Sequence, residues 1–321
     1  MNERFACRPV GNADLRECLL IQPARLGAER IGLKRAMRAW KTILDDADTC
    51  IAYLVEKIST DSEEIVGFGL AVFVTELFAD AVRANPQPGL NASIIESVDA
   101  GKSVIPSYRY MQTANAAANL EHVVMYSSEK HGSLNSSELV LVRNQLARAY
   151  LEGFAGYRLR RLLFEAVDQY ELTKLKSYGG IRIVKRLRTP DPPRGPALWR
   201  GTRALCEATA ESFLDNPDSV AARPFIDRAP PILDFTPSQK RLLVAALRGA
   251  ENAELASHLC RTPAAVKRTW AGIFEQCEQH LPALLPASDG PLRGQQKRYK
   301  VMAYIREHPE ELRPFPPHKA R

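Results

Sequence analysis

No run of about 18 or more consecutive apolar residues occurs in the chain, so no membrane-spanning helix is expected. The first residues, MNERFACRPV, lack the basic-then-apolar pattern of a secretory leader, and a cytoplasmic location is the expectation. Cysteine is sparse and unpatterned. Cys7, Cys18, Cys50, Cys206, Cys260 and Cys277 form no CxxC pair and no His/Cys group at zinc spacing, so free thiols and no metal site are expected. No internal repeat is apparent. What is present is ordinary for a globular chain: 45% hydrophobic and 25% charged residues over 321 positions, enough to bury a core without disulfide staples.

The formal net charge of +7 is unevenly spread. Residues 235–321 hold 14 Lys and Arg against 8 Asp and Glu, and residues 191–234 hold 5 against 7. The C-terminal part therefore carries most of the excess, as a polyanion partner would favour.

Residues 5–188 alternate between strand-like and helical patterns. Strands are predicted at Phe5–Val10, Cys50–Ile58, Ile65–Val74, Asn91–Ser97, Glu121–Ser127, Arg158–Ala166 and Ile181–Arg188. Helices are predicted at Asp14–Leu20, Leu33–Leu44, about 136–153, and Gln169–Ser177. The proline-rich segment Thr189–Pro196 reads as a domain boundary. Residues 189–234 then read as a Pro-rich linker with one helix, Leu198–Leu214.

Downstream, the capping signals are dense. Thr236 and Gln239 have the spacing of a capping box, Pro237 suits the first helical position, and Phe235 can pack back as a staple. Gly249 ends that helix, and Asn252 can cap a short second one. After Cys260 and Arg261, Thr262 and Pro263 start a third. There Val266, Trp270 and Ile273 share the inner face, leaving Ala264, Ala265, Lys267 and Arg268 outside. Trp270 reads as core and not as a base-contacting aromatic. This is the pattern of a helix-turn-helix whose third helix enters a DNA groove.

The segment FTPSQKRLLVAALRGAENAELASHLCRTPAAVKRTWAGIFEQC resembles the DNA-binding domain of LuxR-family regulators. The likeness rests on Thr236-Pro237, Gly249, Asn252, Glu254-Leu255-Ala256 and Thr262 to Lys267. It departs from the family at Ala265, Thr269 and Cys260. The resemblance implies double-stranded DNA as partner. Base contacts fall to Ala264, Ala265 and Arg268, and phosphate contacts to Thr262 and Lys267. A homodimer is expected because two-fold operators match two-fold proteins. Arg293, Lys297, Arg298 and Lys300 in the tail are further phosphate candidates.

The element order over 5–188 resembles the GNAT acyltransferase fold, with Phe5–Val10 and Asp14-Leu15 at its start and Leu163–Ala166 to Gly180-Ile181 at its end. That family cradles the coenzyme A diphosphate in a glycine-rich turn before the long helix. At the matching place Ser128–Ser133 carries one glycine and an acidic residue. The family's tyrosine acid falls on Lys176, with Tyr170 and Tyr178 nearby. A non-catalytic sensory or dimerisation domain is therefore expected, with no catalytic residues and no cofactor. Trp40, Tyr53, Phe68, Phe73, Tyr108 and Tyr126 read as core, with a small-molecule pocket as the other reading. His122 and His131 read as surface residues.

The sequence thus predicts an α/β N-terminal domain, a GNAT-like mixed sheet with helices, over 1–188. It predicts a linker over 189–234, an all-α helix-turn-helix domain over 235–281, and a basic tail with a helix over 282–321. The expected function is a transcription regulator of the LuxR type, with its recognition helix at about 263–277 under control of the N-terminal domain. The alternatives are an N-acyltransferase of GNAT type fused to a DNA-binding module, and a protein-docking module.

Overall fold

The computed structural model describes residues 4–21, 31–46, 48–59, 62–130, 132–167, 169–177, 179–187, 203–226, 228–247, 252–285 and 294–317. The chain divides into two compact units, Met1–Asp227 and Arg228–Arg321. The boundary predicted at Thr189–Pro196, the cap at Gly249, and the residues His131, Tyr178 and Arg293 lie outside the described residues.

The first unit is built on a seven-stranded sheet: β1 Arg4–Pro9, β2 Cys50–Ile58, β3 Glu63–Val74, β4 Leu120–Glu129, β5 Leu159–Ala166, β6 Arg182–Leu187 and β7 Arg203–Thr209. The spatial order is β1-β2-β3-β4-β5-β7-β6. All neighbours are antiparallel except β4 and β5, which run parallel. A parallel neighbour needs a long crossover, and the helix between them supplies it. Among the described residues its α-helices are α1 Leu15–Ile21, α2 Leu33–Leu44, α3 Glu76–Ala84, α4 Leu90–Asp99, α5 Tyr108–Ala116, α6 Ser136–Phe154 and α7 Gln169–Ser177. The central strands are apolar on both faces. Val123 and Leu163 pack with Trp40, Leu19 and Ile94 from α2, α1 and α4. On the other face Phe73 meets Phe154 of α6, and Leu162 and Phe164 meet Leu172 of α7. The result is a three-layer sandwich, with α1, α2 and α4 on one face and α6 and α7 on the other.

Two predictions fail here. Asn91–Ser97 is not a strand but part of α4, and Leu198–Leu214 is not a linker helix over its described part. Arg203–Thr209 is β7, inserted between β5 and β6, so it belongs to the sheet of the first unit. Ala204, Leu205, Cys206 and Ala208 are buried there. Two 3-10 turns, Ala210–Phe213 and Val220–Phe225, follow it.

In the second unit every regular element among the described residues is helical: α8 Pro237–Leu247, α9 Asn252–His258, α10 Pro263–His280, α11 Gly294–Glu307 and a 3-10 turn, Pro309–Leu312. The capping box forms as read, the Thr236 amide donating to Gln239 Oε1 at 2.7 Å and the Gln239 amide to Thr236 Oγ1 at 3.3 Å. Val301, Met302 and Ile305 of α11 are buried with Leu242, Leu255, Val266 and Ile273. The predicted basic tail is thus part of this unit's core.

Candidate active site

The parallel pairing of β4 and β5 is short. It runs from Leu120↔Leu159 to Val124↔Phe164 and stops, although both strands continue. Beyond that point β4 pairs with β3, where Leu70 faces Tyr126 and Ala71 faces Val124, so Met125 is the extra residue of a bulge. β5 meanwhile stays with β7 as far as Ala166↔Ala204. The ends of β4 and β5 therefore separate at the middle of the sheet. A bulge that turns a strand aside, at a break in pairing between two parallel strands, is a common place for a site in α/β folds.

Side chains fix this opening. Asn91, in the first turn of α4, donates through Nδ2 to the Met125 carbonyl at the bulge. Glu165 of β5 accepts from the Gly89 and Leu90 amides at 2.9 and 2.8 Å and faces Arg203 at 3.3 Å. One carboxylate thereby caps the start of α4 and ties it to β5 and β7. Asn91 was read as strand residue and Glu165 was not singled out, because their roles depend on α4 being a helix.

The turn preceding α6 does not fit a diphosphate. Asn135 Oδ1 accepts from the Ser137 and Glu138 amides, each at 3.0 Å, and Glu138 accepts from the Asn135 amide at 2.8 Å. This capping box puts a carboxylate at the helix end that would otherwise attract phosphate. Lys57 pairs with Glu138 at 2.9 Å, and both the Asn135 amide and Lys57 hold that carboxyl below its usual range. Glu129 is also committed, facing Arg143 at 2.7 Å.

His122 is not a surface residue. It is fully buried on β4 among Phe73, Phe154 and Tyr150, and desolvation lowers its pKa, so it is neutral. Alternation along β4 sends it to the α6 face, opposite Glu121. Trp40 and Phe68 pack in one cluster and Phe73 in another, and so they do not converge on one pocket. Lys176 is exposed on α7. Among the described residues no group of three or more His, Cys, Asp or Glu is placed to hold a metal ion, and no helix is long and apolar enough to cross a membrane.

In the second unit Thr262 caps α10, its hydroxyl accepting from the Ala265 amide at 3.2 Å. Ala264, Lys267 and Arg268 are exposed and Ala265 half-buried, while Val266, Trp270, Ile273 and Cys277 are buried. Cys260 takes a left-handed conformation, φ 49°, in the turn between α9 and α10. A glycine would hold that conformation without strain. Trp270 is core, stacked on Phe274 and covered by the Arg298 guanidinium 5.0 Å from its ring. Arg298 is thus drawn onto the tryptophan, and Lys297 pairs with Glu278 at 2.5 Å.

No protein-family model and no curated protein matches the chain. Solved structures do resemble it. One is FeeM, an N-acyl amino acid synthase from uncultured soil microbes, 11% identical, with a TM-score of 0.37 over 70% of this chain and 100% of that one. A mosquito arylalkylamine N-acetyltransferase-like protein is 12% identical, with a TM-score of 0.35 over 64% and 100%. An aminoglycoside acetyltransferase in complex with coenzyme A is 12% identical, with a TM-score of 0.30 over 66% and 99%. Against the expectation of a domain that is not an enzyme, each of these neighbours bears the name of an acyl-transferring enzyme.

Proposed function

We propose that the first unit is an N-acyltransferase of the GNAT kind, taking an acyl group from a thioester whose extended arm lies between the separated ends of β4 and β5. The observation that supports this reading is the loss of pairing after Val124↔Phe164, with the bulge at Met125 beside it. Strand edges that no longer pair with each other offer main-chain donors and acceptors to a third, extended partner. A pantetheine arm, with two amides along a flexible chain, matches that demand. The Ser137 and Glu138 amides at the start of α6 are already taken by Asn135, so no diphosphate contact is assigned to them.

The test is thiol release from acetyl-coenzyme A and from acetyl-pantetheine, with a panel of primary amines as acceptors. Amine-dependent release saturable in thioester is expected. The absence of amine-dependent release with every acceptor and both donors would sink the reading. Asn91→Ala, which frees the bulge carbonyl, is expected to raise KM for the thioester several-fold with a smaller change in kcat.

A second role is proposed for the second unit, carried by a separate observation. The outer face of α10 presents Ala264, Lys267 and Arg268 beyond a cap at Thr262, on a segment with a positive excess. A helix with a small residue near its start and two cations on the same exposed side suits a DNA major groove. The complete reading is an acyltransferase joined to a DNA-binding module of the LuxR kind.

A further inference from the structure

A second concavity of about 430 Å³ lies in the first unit, at the other end of the parallel strand pair. Five arginines line it: Arg83 of α3, Arg158, Arg160 and Arg161 at the start of β5, and Arg182 of β6. The opening described above begins after Phe164, so the two places sit at opposite ends of β5.

Four of the five arginines are held by a ladder of acids, and Arg158 donates to the Ala116 carbonyl at 2.7 Å. α3 carries Glu76, Asp80 and Arg83 at helical spacing. Glu76 pairs with Arg160, Asp80 with Arg161 at 3.0 Å, and Arg83 with Glu207 of β7 at 2.7 Å. Glu207 also takes Arg182, and Glu121 of β4 takes Arg161 at 2.9 Å. The pairs fix where the guanidinium groups stand, and they leave capacity unused. Arg161 has only 4% of its side chain exposed, and its Nη1 has no hydrogen-bond partner. A buried guanidinium N–H without an acceptor is costly unless something supplies one. Of the lining residues, five are cationic and only Glu207 and Glu211 anionic. Burial also pushes the Glu121 carboxyl up to about 7, so this partner of Arg161 is only partly charged at neutral pH. Phe225 and Leu159 add an apolar wall.

We propose that this cavity binds the phosphate group of a small organic phosphate, at a site separate from the acyl-transfer opening. Phosphate fits better than a carboxylate because its oxygens can accept from several guanidinium forks together. The volume suits a small-molecule ligand, and the apolar wall provides for the body that carries the phosphate.

The test uses the full chain, with inorganic pyrophosphate and AMP as probes and succinate as the carboxylate control, at constant ionic strength. Calorimetric titration is expected to show saturable phosphate-probe binding, with both probes raising the melting temperature. Arg158→Glu and Arg182→Glu reverse charge at lining positions, half-buried in one case and mostly exposed in the other. In chains that melt as the parent does without ligand, each is expected to weaken binding by ~10-fold or more. If either variant melts lower than the parent, Arg158→Gln and Arg182→Gln are read in its place, with binding weaker by several-fold expected. Three results would overturn the proposal: no saturable binding of either probe, equal binding to parent and folded variants, or succinate binding as tightly as pyrophosphate. None depends on the acyl-transfer assay.

Discussion

At the scale of single residues, two positions carry sharp expectations. Glu121 is fully buried against Arg161, and burial pushes its carboxyl up to about 7 from an ordinary 4.5, against the pull of Arg161 and Arg160. A raised folded-state pKa means that the native state holds a proton the unfolded chain has released. The stability Glu121 contributes is therefore fully present below about 4.5 and is lost as the pH rises through about 7. Glu121→Gln keeps the shape and removes the titration. Urea unfolding of both proteins at pH 4.5 and 7.5 should show the difference between the two pH values shrinking in the variant by roughly 1–3 kcal/mol. An unchanged difference would mean that other groups set the pH response. Gly180 is the second position. It has φ +67° before β6, and a Cβ there would strike the ring of Phe213. Gly180→Ala is expected to cost about 2–4 kcal/mol, from positive φ and overpacking together. A loss below about 1 kcal/mol in urea melts would mean that Phe213 moves aside.

At the scale of elements, the sequence was most legible where pattern and burial agree. β2 and α2 have the ends their sequence predicts, and α6 nearly so, because a short apolar run and apolar residues at helical spacing are both plain in the sequence. Legibility failed where tertiary position overrides propensity. β7 contains Ala204, Leu205, Ala208 and two acceptable helix formers besides, a composition that favours a helix. Its place between β5 and β6 buries both faces, so no alternation marks it. α4 fails in the other direction: Ile94, Ile95 and Val98 suggest a strand, but the Glu165 carboxylate caps its first amides from a position 75 residues away. No local signal carries that information, and the same distance hid the arginine cavity, whose residues come from α3, β5, β6 and β7. The tail of the second unit is a further case. Glu311 is buried and accepts from the Ile232 and Leu233 amides at 2.9 and 2.8 Å and from the Tyr304 hydroxyl at 2.8 Å. It joins the first residues of the unit to its last turn. Glu311→Ala strands three donors and should destabilise the second unit by about 2–4 kcal/mol, whereas Tyr304→Phe should cost only about 1 kcal/mol. Equal losses in chemical unfolding would locate the effect in α11 packing and not in the carboxylate.

At the scale of the whole molecule, the chain carries an opening in the mixed sheet of its first unit and, separately, a helical second unit with a different charge balance. The basic excess of residues 235–321 is only partly available to a polyanion, because Lys297 is paired with Glu278 and Arg298 lies over Trp270. If the second unit meets DNA, the electrostatic share of its affinity should therefore come largely from α10, and few phosphates should be neutralised. Fluorescence anisotropy of the full chain on duplex DNA, at two salt concentrations, measures that number as a slope. The slope should correspond to only a few phosphates, with ~0.9 of a logarithmic unit per phosphate contacted. Lys267→Ala should weaken binding to all sequences alike and lower the slope by about 1, whereas Arg268→Ala should relax the preference among sequences and leave the slope nearly unchanged. Because Lys267 and Arg268 are exposed and adjacent on α10, neither change should disturb the fold. A slope insensitive to Lys267→Ala would remove α10 from the contact surface. Binding that is absent even at low salt would leave the second unit as a docking module for protein.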